Sequence, residues 1–164
     1  MKTVIALFFA GILCSVCHGQ SGAVKDQQSA YKVLDDLKKK NMQPASDDGW
    51  TMTCLIDGKP WKATALYMPA AIGRIGGENG TSKVSLYDPT NYRVGYKRDF
   101  STSAVEFDPP GSNDIWGGHA GEMKITKVAN GWVEGKFHFT ATGMTTHGKI
   151  EVTNGFFRFA VKKS

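Results

Sequence analysis

Residues 121–161 read GEMKITKV-ANG-WVEGKFHFTATG-MTTHG-KIEVTNGFFRFAV, and this stretch decides the fold of the chain. Three strand-like runs are joined by turns rich in Gly, Asn and Thr, and apolar residues alternate with polar ones within the runs. Because successive side chains of a strand point to opposite faces, the alternation predicts strands with one buried face. A hairpin cannot bury such a face alone, so we expect upstream segments to supply further strands.

The same alternation assigns individual side chains to the two faces of the predicted sheet. Asn154-Gly155 interrupts the third run and is typical of a two-residue type I′ turn, since both central positions of that turn need positive φ. The predicted inward-facing residues are Phe137, Phe139, Ala141, Ile150, Val152, Phe157, Phe159 and Val161. The residues that should face the other way after the turn are Phe156, Arg158 and Ala160.

Upstream of this stretch the pattern predicts a series of shorter strands. Residues 50–56 alternate, Asp57-Gly58 marks a hairpin, and Trp61, Ala63, Ala65 and Tyr67 alternate in the return strand. Residues 73–80 are rich in glycine and are interpreted as a loop, and residues 108–118 as a long loop. Further strands are expected at 83–87, 92–97 and 103–107. About eight or nine strands with regular turns favour an antiparallel barrel or a two-sheet sandwich.

The N-terminal part of the chain has a different composition. One lysine, an apolar run and small residues up to Gly19 are typical of a cleaved secretory signal peptide, not of a membrane span. We therefore expect a secreted or periplasmic protein. Lipid anchoring at Cys14 or Cys17 is the less favoured alternative, because Leu13 and Val16 precede these cysteines where a small residue is usual.

One helix is predicted between this leader and the strands, over residues 23–41, from apolar residues at helical spacing and three lysines at its end. Residues 42–49 have the composition of a linker. The expected organisation is therefore a signal peptide (1–19), a helix with its linker (20–49) and an antiparallel β-domain (50–164). After cleavage Cys54 is the only cysteine, so no intramolecular disulfide can form.

The order of several short motifs in this chain resembles the order found in a known protein family. The motifs are Asp57-Gly-Lys-Pro-Trp-Lys-Ala, GEMKITK at 121–127, VEGKFHFTA at 133–141 and IEVTNGFF at 150–157. The order is similar to that of a family of small exported bacterial β-domains with the pattern NGKxW, GxVxIT, VxGTFxFxA and VTNGxF. The chain departs from it in having Asp57 for Asn and Lys136 for Thr. The resemblance implies a lipocalin-like β-domain and supplies no catalytic residue.

Residues that could carry chemistry do not form a recognisable constellation. His119, His138 and His147 lack the spacing of a zinc site, and Cys54 alternates with apolar neighbours as a buried thiol does. The formal net charge of +5 is too low to indicate nucleic-acid binding. No nucleophile–base pair or carboxylate pair can be named, so we predict neither catalysis nor a cofactor nor a metal.

The residues that suggest a function are aromatic. Trp116 lies within the long predicted loop and His119 follows it, while Tyr92 and Tyr96 flank another turn. Exposed aromatic side chains on the rim of a β-scaffold often hold sugars or apolar ligands. The alternative for Trp116 is that it covers the open end of the sheet. We predict an exported, non-catalytic binding domain for a small apolar or glycan ligand. The alternative is an envelope-associated protein–protein interaction module that uses the N-terminal helix and the sheet edges.

Overall fold

A computed structural model describes residues 32–33, 36, 42–67, 74–80, 82–87, 92–101, 105–111, 114 and 116–161. The chain divides into two units, residues 1–37 and 38–164, and nearly all described residues belong to the second. The predicted signal peptide with Cys14 and Cys17 lies outside the described residues. Of the predicted helix only Lys32, Val33 and Asp36 are described, so the helix stays a prediction.

The described residues of the second unit form eleven strands. These are β1 (Met42–Pro44), β2 (Thr51–Ile56), β3 (Lys59–Lys62), β4 (Ala65–Tyr67), β5 (Arg74–Glu78), β6 (Lys83–Tyr87), β7 (Lys97–Asp99), β8 (Val105–Asp108), β9 (Trp116–Ala129), β10 (Trp132–Gly143) and β11 (Lys149–Ala160). They make one antiparallel sheet in the order β1-β4-β5-β6-β8-β9-β10-β11-β2-β3, with β7 beside β9. The prediction of a mainly β, antiparallel fold is confirmed.

A single chain segment brings the two ends of this strand order together. β3 lies beside β2 and β4 beside β5, yet only Ala63 and Thr64 separate β3 from β4 in sequence. The Ala63 amide donates to the Met52 carbonyl at 3.0 Å, and the next amide, of Thr64, donates to the Glu78 carbonyl at 2.7 Å. The sheet therefore curls into a half-barrel. Of the two predicted architectures, a barrel or a two-sheet sandwich, it is closer to the barrel.

The alternation of inward and outward side chains in the predicted return strand is also interrupted between Ala63 and Thr64. Trp61 and Ala63 are buried in the core as predicted, but Leu66, and not Ala65 or Tyr67, continues the inward series. Tyr67 is paired with Gly76 and its hydroxyl lies 2.6 Å from the Ser85 hydroxyl on the opposite face. The predicted continuous alternation is wrong because the backbone exchanges one partner strand for another between Ala63 and Thr64.

A stack of aromatic rings lies in the apolar interior of the half-barrel. The rings of Phe137, Phe139, Phe157 and Phe159 stack in sequence, with centroids 6.3 Å, 6.3 Å and 5.8 Å apart for the pairs 137–139, 137–157 and 157–159. Gly135 allows this packing, since a Cβ at that position would lie 2.2 Å from Phe157 Cζ. Seven of the eight predicted inward-facing residues are buried and Val161 packs against them, so this assignment is confirmed.

Asn154-Gly155 is not a hairpin turn. β11 continues through it, and His138 of β10 stands opposite both Thr153 and Asn154, which is a β-bulge. Asn154 has φ of 50°, the left-handed conformation that Asn tolerates. The bulge explains why residues typical of turns occur at these two positions. Asn154 tolerates the positive φ, and Gly155 is required because a Cβ there would lie 2.5 Å from the Phe137 carbonyl oxygen.

The predicted hairpin at Asp57-Gly58 and the predicted turn in the ANG segment, residues 129–131, are confirmed. Asp57 and Gly58 have φ of 48° and 76°, and Asn130 and Gly131 have φ of 51° and 79°, as a type I′ turn requires. Both pairs connect neighbouring antiparallel strands, β2 with β3 and β9 with β10.

Two segments that were expected to be loops contain strands. Residues 74–78 form β5, where the glycines are needed for close packing: the Tyr67 ring lies directly over Gly76, and Gly77 faces Met52, Trp61 and Ala63. The sheet also begins earlier than expected, because residues 42–44 of the linker segment pair with β4 as β1.

Strand boundaries also differ in the middle of the chain. Residues 92–97 were expected to be a strand, but Gly95 has φ of 87° and the Tyr96 amide donates to the Arg93 carbonyl in a turn, so that β7 begins only at Lys97. The expected long loop at 108–118 ends earlier than predicted, since Trp116 is the first residue of β9.

Candidate functional site

A groove crosses the outer face of the three longest strands, β9, β10 and β11. It has a volume of about 690 Å³, within the range of ligand sites in proteins. We call it the outer groove; its principal side chains are those of Lys124, Lys136, His138, Thr153, Asn154 and Phe156. Because it lies on the solvent side of the sheet, opposite the core of the half-barrel, core side chains do not compete with a ligand for space.

Two β-bulges bracket the outer groove. On β9, Thr126 is an extra residue between the pairs Lys127–Glu134 and Ile125–Gly135, and its hydroxyl donates to the Glu134 carbonyl at 3.2 Å. On β11, Asn154 is an extra residue relative to both β10 and β2. Bulges bend a strand and increase its twist, so this pair explains why a concave surface forms on an otherwise regular outer face.

Phe156 is the aromatic residue of the groove. It is the direct partner of Lys136 on β10 and of Thr53 on β2, and its ring is half-buried on the outer face, away from the core Phe stack. The bulge places Thr153 and Asn154 immediately beside it, one half-buried and the other exposed. The site therefore combines an apolar ring surface with hydroxyl and amide groups.

The groove also carries a concentration of positive charge. Lys124 and Lys136 are direct cross-strand partners, both are exposed, and neither forms an ion pair with any described residue. The nearby carboxylate of Glu122 is occupied by another lysine, since Lys97 Nζ lies 3.1 Å and 3.2 Å from its two oxygens. Like charges directly opposite each other destabilise a sheet, so this arrangement has a cost that the fold alone does not explain.

A second depression adjoins the outer groove across β2 and β3. It has a volume of about 360 Å³ and is lined in part by Thr53, Pro60 and Lys62. Asn154 borders both depressions, so a ligand lying over this residue would contact both. Lys62 is held by Asp47 through a 2.7 Å hydrogen bond at this far side.

The four residues predicted to form a binding site, Tyr92, Tyr96, Trp116 and His119, lie in different places. Trp116 is on the inner face near one end of the sheet, where its ring packs edge-on against Phe107 with centroids 6.4 Å apart and lies over Gly148. It covers the core there, which agrees with the alternative reading of this residue. Its Nε1 is buried without a hydrogen-bond partner among the described residues. His119 is an extra residue in another bulge of β9 and is exposed.

Tyr92 and Tyr96 lie near the opposite end of β9. The Tyr92 ring packs against Phe159 at 5.7 Å, and the Tyr96 carbonyl accepts a hydrogen bond of 2.9 Å from the Ile125 amide. At the usual rise of a strand, Ile125 is about 30 Å from Trp116 along β9. The tyrosines and Trp116 thus cannot share one small ligand.

The residues of the outer groove were not singled out from the sequence. The alternation after Asn154 does place Phe156 on the outer face, and this was predicted. The bulge is not evident from the sequence, because Asn154-Gly155 has the local chemistry of a turn, and without the bulge the cross-strand neighbours of Phe156 cannot be assigned.

Other potential chemistry in the described residues is limited. Cys54 is buried on β2, and burial raises the pKa of its thiol to about 12. No group of three or more His, Cys, Asp or Glu side chains among the described residues is placed to hold a metal ion. Within the same residues, no helix has the length and apolar character needed to cross a membrane.

Comparisons with family models, curated proteins and solved structures find no match to this chain. The likeness to small exported lipocalin-like domains therefore rests on the order of the short sequence motifs, and it stays a resemblance.

Proposed function

We propose that this protein is an exported, non-catalytic binding domain whose ligand is a glycan held in the outer groove. The observation that carries the proposal is Phe156, a half-buried ring that lines a groove of about 690 Å³ beside the hydrogen-bonding side chains of Thr153 and Asn154. A sugar ring presents an apolar face and a hydroxyl-rich edge. A ring surface bordered by polar groups is complementary to both.

A polar glycan fits the described residues better than a small apolar ligand does. Apolar ligands need an enclosed pocket lined mainly by apolar side chains. The inside of this half-barrel is instead occupied, among the described residues, by buried core side chains that include the Phe stack from Phe137 to Phe159. The outer groove is open, and polar or charged side chains such as Lys124, Lys136 and Asn154 border its apolar surface, which suits a ligand that keeps part of its hydration.

Binding without catalysis is proposed because no nucleophile in the groove is hydrogen-bonded to a base: His138 stands opposite Glu122, but its imidazole has no hydrogen bond to a described residue. The carboxylate of the groove, Glu122, is engaged by Lys97, and the other charged groups of the groove are lysines. Cys54 lies on the inner face with a strongly raised pKa, so it is a poor nucleophile. Export is proposed from the leader-like residues 1–19 and from the family resemblance.

The alternative of a protein-binding module has less support at the sheet edges. The terminal strands of the sheet order, β1 and β3, each contain a proline, Pro44 and Pro60, and β3 also carries Lys59 and Lys62. Proline and lysine on edge strands oppose the addition of a further strand.

The test is affinity electrophoresis of the purified protein through gels containing dextran, xylan, alginate, hyaluronan or polygalacturonate. We expect at least one polysaccharide to retard the protein, and the Phe156→Ala variant to lose that retardation. Phe156→Leu should lose most of it, because leucine keeps apolar bulk but has no ring. Tyr87→Ala removes an aromatic side chain that is 37% exposed elsewhere on the sheet and serves as the control. Unretarded wild-type protein, or a Phe156→Ala variant that is retarded normally, would overturn the proposal.

A further inference from the structure

The outer groove lies within a continuous row of side chains that runs across the strands. Cross-strand pairing links each member of the row to the next, from β7 through β9, β10, β11 and β2 to β3. In order, the row consists of Lys97, Lys124, Lys136, Phe156, Thr53 and Lys62. With neighbouring strands about 4.8 Å apart, the row covers about 24 Å, more than one sugar unit needs.

The lysines of the row differ in whether an acidic side chain is paired with them. The two end lysines have acidic partners, since Lys97 contacts Glu122 and Lys62 contacts Asp47. The two central lysines, Lys124 and Lys136, face each other without an acidic partner among the described residues. A ligand that brings negative charge to the centre of the row would relieve this repulsion, and the groove beside Phe156 is where it would lie.

From this arrangement we propose that the ligand is an acidic polysaccharide whose chain lies across the strands, along the row. Carboxylates of its uronic-acid units contact Lys124 and Lys136, one sugar ring stacks on Phe156, and the chain continues over Asn154 towards Lys62. This inference rests on the proposed function and specifies the class of its ligand.

The composition of the row favours a carboxylated polysaccharide over other polyanions. Single-stranded nucleic acids are held by several aromatic side chains on which successive bases stack, whereas this row contains only Phe156. Phosphate recognition commonly uses the planar fork of arginine, and the charged members of the row are all lysine. Lysine ammonium groups act as point charges, which suits carboxylates spaced along a sugar chain.

The decisive variant is the double substitution Lys124→Gln/Lys136→Gln in the full-length protein. Its matched control is Lys59→Gln/Lys149→Gln, which removes the same charge from two exposed strand lysines that do not line the outer groove. Binding to polygalacturonate, alginate and hyaluronan is measured by titration calorimetry, and fully methyl-esterified polygalacturonate provides the same backbone without the charge. Circular dichroism and urea unfolding verify that both variants fold.

We expect the wild type and the control to bind at least one acidic polysaccharide, and the Lys124→Gln/Lys136→Gln variant to bind it about tenfold or more weakly. The methyl ester should bind more weakly than the acid, and added salt should weaken binding to the acid. The inference is overturned if the methyl ester binds as well as the acid and the double variant binds like the wild type, while Phe156→Ala still abolishes binding. That result would leave the glycan proposal intact.

Two other outcomes would count against the inference in different ways. If no polysaccharide binds, acidic or neutral, the proposed function fails together with it. If a single-stranded DNA oligonucleotide or vesicles of anionic phospholipid bind, the polysaccharides do not, and the lysine double variant loses this binding, then the row recognises a different polyanion and the ligand class is wrong.

Discussion

Lys124 and Lys136 are direct cross-strand partners on the outer face of β9 and β10, and no described acidic residue is paired with either. Opposed like charges cost a sheet roughly 0.2–1 kcal/mol. Under the proposed function, the two lysines are retained because they contact the ligand, so stability and binding should respond oppositely when one of them is replaced.

Lys136→Thr should stabilise the protein and weaken ligand binding at the same time. Threonine suits an exposed strand position and removes the repulsion with Lys124, so we expect the free energy of unfolding to rise by about 0.2–1 kcal/mol in urea titrations. Lys149→Thr is the control, because Lys149 is opposite Thr142 and has no like-charged partner there. If Lys136→Thr and Lys149→Thr have the same effect on stability, the repulsion is not significant.

Asn154 should be replaceable by glycine but not by a β-branched residue. Its φ of 50° is accessible to glycine without strain, whereas a residue such as valine in this left-handed conformation costs about 1–2 kcal/mol. We therefore expect Asn154→Gly to unfold in urea much as the wild type does and Asn154→Val to unfold at clearly lower urea concentration. Equal stabilities for the two variants would contradict the bulge assignment. Because Asn154 shapes the groove, Asn154→Val should also reduce polysaccharide retardation.

Gly135→Ala should destabilise the core. The added methyl group would lie 2.2 Å from Phe157 Cζ, within the Phe stack, and overpacking of this kind costs about 1–3 kcal/mol. Gly117→Ala on β9 is the matched control, since no heavy atom lies within 4 Å of the Cβ that it would add. Thermal or urea unfolding of the two variants provides the comparison, and a Gly135→Ala protein as stable as Gly117→Ala would show that the Phe157 ring is not confined there.

Asp114 should contribute to stability at neutral pH and stop contributing in acid. The Thr146 hydroxyl donates to its carboxylate at 2.7 Å, and the amides of Thr145 and Thr146 donate as well, so the pKa of Asp114 is lowered. A carboxyl group with a lowered folded-state pKa stabilises the protein above its unfolded pKa of about 3.9 and loses this effect as the pH falls through the folded value.

The variant Asp114→Asn tests that pH dependence. It should be less stable than the wild type at pH 7, and the difference should shrink below the usual aspartate pKa of about 3.9. Urea unfolding across this pH range measures it. A difference that stays constant with pH would mean that the ionised carboxylate is not the stabilising form.

Cys54 should be unreactive in the folded protein. It is 4% exposed, and with a pKa of about 12 almost none of it is thiolate at pH 8. A chromogenic disulfide reagent should therefore label this residue slowly under native conditions and rapidly in denaturant. Rapid native labelling, with Cys54 as the labelled residue by mass spectrometry, would contradict its buried position.

The sequence predicted the elements that depend on local patterns. The alternation of Phe137, Phe139 and Ala141 and the Asp57-Gly58 and Asn130-Gly131 turns were recognised because strand periodicity and positive φ are properties of a few consecutive residues. Asn154-Gly155 has the same local chemistry as those turns, yet it forms a bulge. Its role depends on the neighbouring strands β10 and β2, which continue past it on both sides.

The candidate site could be anticipated only in part for the same reason. Phe156 was correctly assigned to the outer face, but its pairing with Lys136, and the pairing of Lys136 with Lys124, are relations of strand register. A bulge displaces register by one residue, so such pairs cannot be read from the sequence once the bulge is missed. Trp116 was prominent in the sequence because large aromatic residues near Gly-rich segments often bind ligands, whereas here its ring packs on Phe107.

The most direct test of the central claim is an amide NMR titration of the isotope-labelled protein with oligogalacturonate. Binding in the outer groove should shift the amide resonances of residues 153–156, Lys124 and Lys136, and leave those around Tyr92 and Trp116 unchanged. The shifts should be lost in the Phe156→Ala variant. Shifts that concentrate around Tyr92, Tyr96 or Trp116 instead, or a spectrum that does not change with any acidic or neutral oligosaccharide, would contradict the assignment of this groove as the binding site.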